Sequence, residues 1–192
     1  MTSISYRATT GSWTLALAVA AALAASTGAQ AASVERHRMN LGGPSGQYTD
    51  WQRSGIEGFT GLRTTIEIQK THGRARDEWA AMARLNLFGV AEGGGDPPML
   101  SLLLRADRRS GAIEALLVSP GEDAQRGIEF QGEVGRLIQV EMQLRADGLL
   151  DLTLDGAAHA VALPSGFRVD AVTAVGSGVD VAFDPFELLR AD

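Results

Sequence analysis

Apolar side chains fall on alternate positions through much of this chain, the period of strands with one face in a core and one in water. The clearest stretch lies between residues 136 and 186. Ile138, Val140, Met142 and Leu144 alternate with Gln139, Glu141, Gln143 and Arg145, and Leu150, Leu152 and Leu154 then alternate with Asp151 and Thr153. Ala146-Asp147-Gly148 and Asp155-Gly156 supply turn chemistry on either side of the second run. The pattern predicts successive strands over 136–145, 149–154, 157–163, 168–175 and 179–186. Upstream, 62–69 reads as another strand, with Leu62, Thr64, Ile66 and Ile68 on one face and Arg63, Thr65, Glu67 and Gln69 on the other.

The remaining elements are marked by their breaks. Gly93-Gly94-Gly95-Asp96-Pro97-Pro98 cannot sit inside a regular element, and Arg109-Ser110-Gly111 reads as a turn, so strands are expected at 99–108 and 112–118. A short strand is expected near 128–130 and another at 34–39. The segment from Ala32 to Gly61 is otherwise polar and glycine-rich and is read as mainly irregular. Residues 74–83 mix helix-favouring Arg, Glu, Ala and Met with a strand-favouring sequel, which predicts a strand over 80–90 with a helix over its first half as the alternative. About ten strands without a long helix point to an all-β antiparallel sandwich or barrel.

The N-terminus carries a different signal. Arg7, an apolar run from Trp13 to about Ala25 and the small residues Ala29-Gln30-Ala31 have the form of a secretory signal peptide. The expected organisation is a leader over 1–31 and a single β-sandwich domain over 32–192, exported to the periplasm or beyond. No later run approaches the roughly 20 apolar residues of a helical span, so membrane insertion of the mature chain is not expected. The absence of cysteine excludes a disulfide framework, a lipoprotein anchor, a thiolate nucleophile and a zinc-thiolate site. The 17 basic and 23 acidic side chains give a formal charge of −6, and loss of Arg7 makes it more negative. Such a surface repels nucleic acid and anionic lipid, though a basic cleft can exist locally. Every basic residue except Lys70 is arginine, the usage of a G+C-rich bacterial genome.

Three blocks carry a likeness to a known superfamily: residues 62–69, the hairpin that ends Leu152-Thr153-Leu154-Asp155-Gly156, and Val181-Ala182-Phe183-Asp184-Pro185-Phe186-Glu187-Leu188. They resemble the early strand, the "l-x-v-D-G" hairpin and the closing "V-x-F-x-x-F-x-L" strand of the concanavalin A-like jelly rolls, the lectin, glucanase and laminin-G superfamily. The resemblance implies a two-sheet antiparallel jelly-roll sandwich. The block order is most like that of alginate-lyase-like polysaccharide lyases, whose concave sheet presents arginine, glutamine, histidine, tyrosine and lysine to an acidic glycan. Arg63 and Glu67 stand where that family's R-x-E-x-R strand would fall, but Gln69 replaces its last arginine. Leu85-Asn86-Leu87-Phe88 replaces its Q-I-H motif without the histidine. No tyrosine follows Tyr48 and no lysine follows Lys70, so the family's usual base is missing. The E-x-D-x-x-E triplet of related glycoside hydrolases is also absent. Asp151 and Asp155 are read as a solvated hairpin face with Asp155 in the turn.

The candidate ligand-binding residues are Arg63, Glu67 and Gln69 with Arg84 and Asn86 beside them, since guanidinium, amide and carboxylate groups meet sugar hydroxyls in fixed directions. The solvated face of a sheet with weak cross-strand ion pairs is the more ordinary reading of the same polar stripe. Gln139, Glu141, Gln143 and Arg145 form a second such stripe. Trp79 is the aromatic platform chosen for the site, with Trp51, Tyr48 and Phe88 also available; core packing for Trp79 and packing of the N-terminal segment for Trp51 are the readings favoured over a platform role. His37, His72 and His159 lack metal-site spacing, and only His72 is a candidate base. No cofactor is expected. Calcium could be held by loop oxygens of Asp96, Glu122, Asp123 or Asp184. The functional expectation is an exported protein that binds a glycan or another envelope component without covalent chemistry. A divergent polysaccharide lyase built on Arg63, Asn86 and His72, and a structural or adhesive envelope protein, remain open.

Overall fold

In the computed structural model, residues 33–74, 79–90, 95–121 and 124–191 are described. The signal-peptide expectation lies outside them. They form twelve strands: β1 Ser33–Gly42, β2 Tyr48–Ser54, β3 Phe59–Thr71, β4 Ala81–Gly89, β5 Met99–Ala106, β6 Ala112–Val118, β7 Arg126–Glu133, β8 Leu137–Leu144, β9 Leu149–Leu154, β10 Ala157–Ala162, β11 Val169–Ser177 and β12 Val179–Arg190. No helix among the described residues is long and apolar enough to cross a membrane.

The strands make two six-stranded antiparallel sheets. The first has the order β1-β12-β3-β8-β9-β10 and the second β2-β11-β4-β5-β6-β7. This is the two-sheet jelly-roll sandwich that the alternation and the three sequence blocks lead one to expect. The inward positions are those the period assigned. Leu62, Ile66 and Ile68 of β3, Leu150, Leu152 and Leu154 of β9, and Leu85 and Leu87 of β4 are all essentially excluded from water. A slip of one residue in any of these strands would turn its whole apolar set to solvent, so the core itself fixes the register.

Three expectations are corrected. β2 was expected to be irregular: it is an edge strand whose sole apolar inward residue is Trp51, so the periodic signal is too weak to read. Trp51 nonetheless packs inward, its ring 5.1 Å from that of Phe186 and 4.7 Å from that of His37. The helical alternative over 74–83 fails at its C-terminal end, where Ala81, Met82 and Ala83 are in β4, and residues 75–78 lie outside the described part. β7 and β1 run well beyond 128–130 and 34–39 because edge strands with charged, exposed residues still pair. The closing motif keeps the three-residue step between its phenylalanines that the V-x-F-x-x-F-x-L form has. Phe183 and Phe186 both point inward because the pairing of β12 with β3 shifts between them, and Asp184 and Pro185 take up the extra residues.

The β9–β10 turn is held by Asp155. Its φ of 46° and the 86° of Gly156 are the left-handed pair that a two-residue hairpin of matching twist requires. The Asp155 carboxylate accepts hydrogen bonds from the backbone of Gln139 at 2.7 Å and from Arg136 at 3.0 Å, which anchors a non-glycine residue in that conformation. Asp155 is a turn residue rather than half of an acid pair.

Candidate functional site

The residues expected to form one stripe are divided between the two outer faces of the sandwich. Arg63, Glu67 and Gln69 point outward from β3 in the first sheet, whereas Arg84 and Asn86 point outward from β4 in the second. Arg84 and Asn86 are therefore not beside Arg63. His72 lies just past the end of β3, where its Nε2 donates to Asp180 Oδ1 at 2.8 Å. Arg63, Asn86 and His72 share no surface, so a lyase centre built on those three has no common site.

On the first sheet the cross-strand register places Arg36, Glu187, Arg63 and Glu141 in one row across β1, β12, β3 and β8. Charge alternates along it. Arg36 Nη2 meets Glu187 at 2.5 Å and Arg63 meets Glu141 at 3.9 Å, with both members of the latter pair about half exposed. Each charge in this row has a neighbour of opposite sign, and Gln69 donates to Glu67 on its own strand at 3.2 Å. The second polar stripe, Gln139 to Arg145, is the β8 part of this same face, and Arg145 there bonds Asp147 in the β8–β9 turn at 2.7 Å.

The outer face of the second sheet is built differently. Register places Gln52, Thr173, Asn86 and Ser101 side by side on β2, β11, β4 and β5. They are joined by a directional relay: Arg84 Nη2 donates to Ser101 Oγ at 2.9 Å, Ser101 Oγ donates to Asn86 Oδ1 at 2.6 Å, and Asn86 Nδ2 donates to Thr173 Oγ1 at 2.6 Å. Ser101, Asn86 and Thr173 are 0%, 5% and 7% exposed although they face away from the core. The face is thus recessed, and its polar groups are kept from water by satisfying one another.

Arg84 begins the relay and carries the only charge in it. It is half-buried and has no carboxylate partner among the described residues; Ser101 and the Met99 sulfur, 3.6 Å away, are its contacts. Burial holds its pKa below the ordinary arginine value, because the charged form has lost water without gaining an anion. Guanidinium remains protonated at any ordinary pH. Along the strands to one side of the row, Gln52, Ser54, Phe88, Pro97, Asp170 and Thr173 line a cleft of about 520 Å³. In the opposite direction along the strands, Tyr48 opens β2 opposite Ser177 and is highly exposed, as is Trp79, two residues before β4, at 63%. The Trp79 ring lies over Gly46, where a Cβ would meet the indole at 3.5 Å. Of the two tryptophans, Trp79 is thus available to a ligand and Trp51 is packed away.

Ser101 and Thr173 are the site residues that sequence reasoning did not single out. Each is a hydroxyl residue in a mainly apolar strand, Met99–Ala106 and Val169–Ser177, at a position whose parity points outward. A cleft of about 430 Å³ at the edge of the second sheet contains Arg105, Asp107, Arg108 and Glu114. Its charges have partners of their own: Arg105 pairs with Glu114, Arg108 Nε donates to the His72 carbonyl at 2.6 Å, and Asp107 caps the turn at Ser110. Among the described residues no group of three or more histidine or carboxylate side chains is gathered for a metal. Of the loop oxygens considered for calcium, Asp184 is 2.7 Å from Arg38, Asp96 lies in the loop before β5, and Glu122 and Asp123 lie outside the described residues.

No protein-family model matches the chain, and no curated protein matches it by sequence. Solved structures do match. An alginate lyase of Pseudomonas aeruginosa superposes with a TM-score of 0.51 at 17% identity over 69% of this chain and 65% of its own. The chain has the concanavalin A-like jelly-roll fold. A galectin of Caenorhabditis elegans matches with a TM-score of 0.47 at 12% identity, over 80% of this jelly roll and 95% of its own length. A carbohydrate-binding module of Bacillus subtilis gives 0.42 at 11% identity, covering 77% and 83% of the two chains.

Proposed function

We propose that this jelly roll binds carbohydrate on the recessed outer face of its second sheet, without covalent chemistry, and that the sugar it prefers carries a carboxylate or sulfate group. The observation that carries the proposal is Arg84: a half-buried guanidinium, oriented by Ser101, with no acidic partner among the described residues. All three bonds of the relay run away from it, so its remaining N–H groups are left as donors, and the relay ends on Thr173. A donor-rich, recessed row suits an acceptor-rich ligand, and an anion restores the Coulomb energy that burial took from the guanidinium. Trp79 and Tyr48, exposed at one end of the face, offer apolar ring surface for stacking. The overall negative charge of the chain disfavours polyanions in general, which makes one local cation the natural determinant of selectivity.

Calorimetric titration with oligosaccharides of uronic acids, of sulfated sugars and of neutral glucose tests this. Acidic oligomers are expected to bind, and Arg84→Ala to weaken them at least about tenfold, the scale of one charge-assisted hydrogen bond. The double variant R63A/E67A, on the opposite face, is expected to bind as wild type does. Loss of binding in R63A/E67A with retention in R84A would move the site to the first sheet and refute the proposal, and so would failure of every acidic oligomer to bind. Absorbance from unsaturated ends, followed in the same mixtures, is expected to stay at the level of buffer.

A further inference from the structure

The four sheet edges of this molecule are not equally guarded. β1 carries Glu35, Arg36 and Arg38 and a register shift between His37 and Met39. β2 carries Asp50 and Arg53, and Arg53 reaches across to Glu35 of β1 at 2.9 Å, closing that side of the sandwich. β7 carries Arg126, Glu129 and Glu133, with a shift in its pairing to β6. Charges and bulges of this kind keep an open edge from pairing with another chain. β10, Ala157–Ala162, has neither: its six residues are four alanines, one valine and one histidine, in unbroken register with β9.

The hairpin geometry says which backbone groups β10 leaves free. A two-residue turn at Asp155-Gly156 makes Leu154 and Ala157 a hydrogen-bonded pair, so the odd-numbered residues direct their N–H and C=O groups to β9. Leu163 N donating to Gly148 O continues that phase. The N–H and C=O groups of Ala158, Ala160 and Ala162 therefore point away from the sheet, and all three residues are exposed.

We propose that a second copy of this chain occupies this edge, its β10 pairing antiparallel with β10 across a two-fold axis at Ala160, so that the two first sheets join into one. The two-fold matches every free group: Ala160 pairs with its own copy, and Ala158 pairs with Ala162 of the copy at both ends, which satisfies all of the outward donors and acceptors. A foreign strand would be selected by pockets for its alternate side chains, and a row of alanines provides none. The neutral edge also gives two acidic molecules an approach at which no like charges on the pairing strands meet.

Sedimentation velocity of the purified chain from about 1 to about 200 µM is expected to show a concentration-dependent shift from the monomer mass to twice that mass. Ala160→Lys and Ala160→Glu each put like-charged side chains directly opposite one another, on Cα atoms about 5.5 Å apart across the axis, and each is expected to stay monomeric. Mixed in equal amounts, they are expected to recover the dimer, because every cross-axis pair is then of opposite sign. The exposure of Ala160 leaves the fold intact in both, checked by circular dichroism. In the wild type, the amides of Ala158, Ala160 and Ala162 are expected to exchange more slowly at high concentration than at low. A wild type that stays monomeric throughout, an A160K variant that dimerises like wild type, or a mixture that does not recover would each overturn the proposal.

Discussion

Asn86→Ala should cost this protein far more than its place on an outer sheet face suggests. The amide holds two hydrogen bonds of 2.6 Å, donating to Thr173 and accepting from Ser101, at 5% exposure. Losing both removes roughly 1 kcal/mol each, and leaving the Ser101 hydroxyl without an acceptor at 0% exposure adds about 1–2 kcal/mol, for a total of about 3–4 kcal/mol. Read by urea denaturation, with a slope of about 1–3 kcal/mol per M for a domain of this size, the midpoint should fall by about 1–4 M with the slope unchanged. A double-mutant cycle with Thr173→Val should return a coupling near 1 kcal/mol, since that pair shares one bond. Ser101 also orients Arg84, so the same substitution should weaken acidic oligosaccharide binding. A loss of under about 0.5 kcal/mol, the ordinary cost of a surface substitution, would refute the reasoning that the relay is a sealed network.

Arg63→Ala should change stability by less than about 0.5 kcal/mol in the same urea assay, because its pair with Glu141 is long and half-exposed; a larger loss would mean that the charge row on the first sheet is a structural network. Glu35→Gln should cost about 1–3 kcal/mol, since its carboxylate accepts from Arg53, Arg190 and His37 between the two sheets, a figure reduced from the fully buried case because Glu35 keeps about a quarter of its exposure. Thermal or urea melts that place E35Q level with wild type would contradict that. Asp107 gives a pH signature: hydrogen bonds from the Ser110 backbone and hydroxyl and from the Arg109 backbone hold its carboxyl below the ordinary aspartate value. Its folded-state pKa is depressed, so its contribution is complete above the unfolded value of about 3.9 and is lost as pH falls through the lower folded value. Urea midpoints measured downward from about pH 5 should therefore fall more steeply in wild type than in D107N.

The parts of this fold that a sequence reader can see are those where burial imposes a period. β3, β8 and β9 alternate cleanly because one face of each meets the core and the other meets water, and the hairpin at Asp155-Gly156 announces itself through the backbone angles it needs. β2 was hidden because one tryptophan at the margin of a sheet makes no pattern. The site was only partly visible for a deeper reason. Arg63 and Arg84 are the same residue type on the polar phase of two expected strands, and alternation says that both point outward without saying that the two outward directions are opposite. Telling a neutralised arginine from an unneutralised one needs the cross-strand partner, Glu141 in one case and Leu103 in the other, and pairing is information that a single strand does not contain.

The row Arg36, Glu187, Arg63, Glu141 has one more consequence, for how this surface can drift over generations. Erasing an exposed charge of the row, such as Glu141, removes an attraction that water had already weakened. Reversing one is different in kind: a glutamate at position 63 would sit between Glu187 and Glu141 in register, three carboxylates abreast at cross-strand spacing. The back of the sandwich therefore tolerates bleaching but not inversion. Its substitutions should run through serine, threonine and glutamine, and a change of sign at one rung should be survivable only when the rungs beside it have been bleached or reversed first.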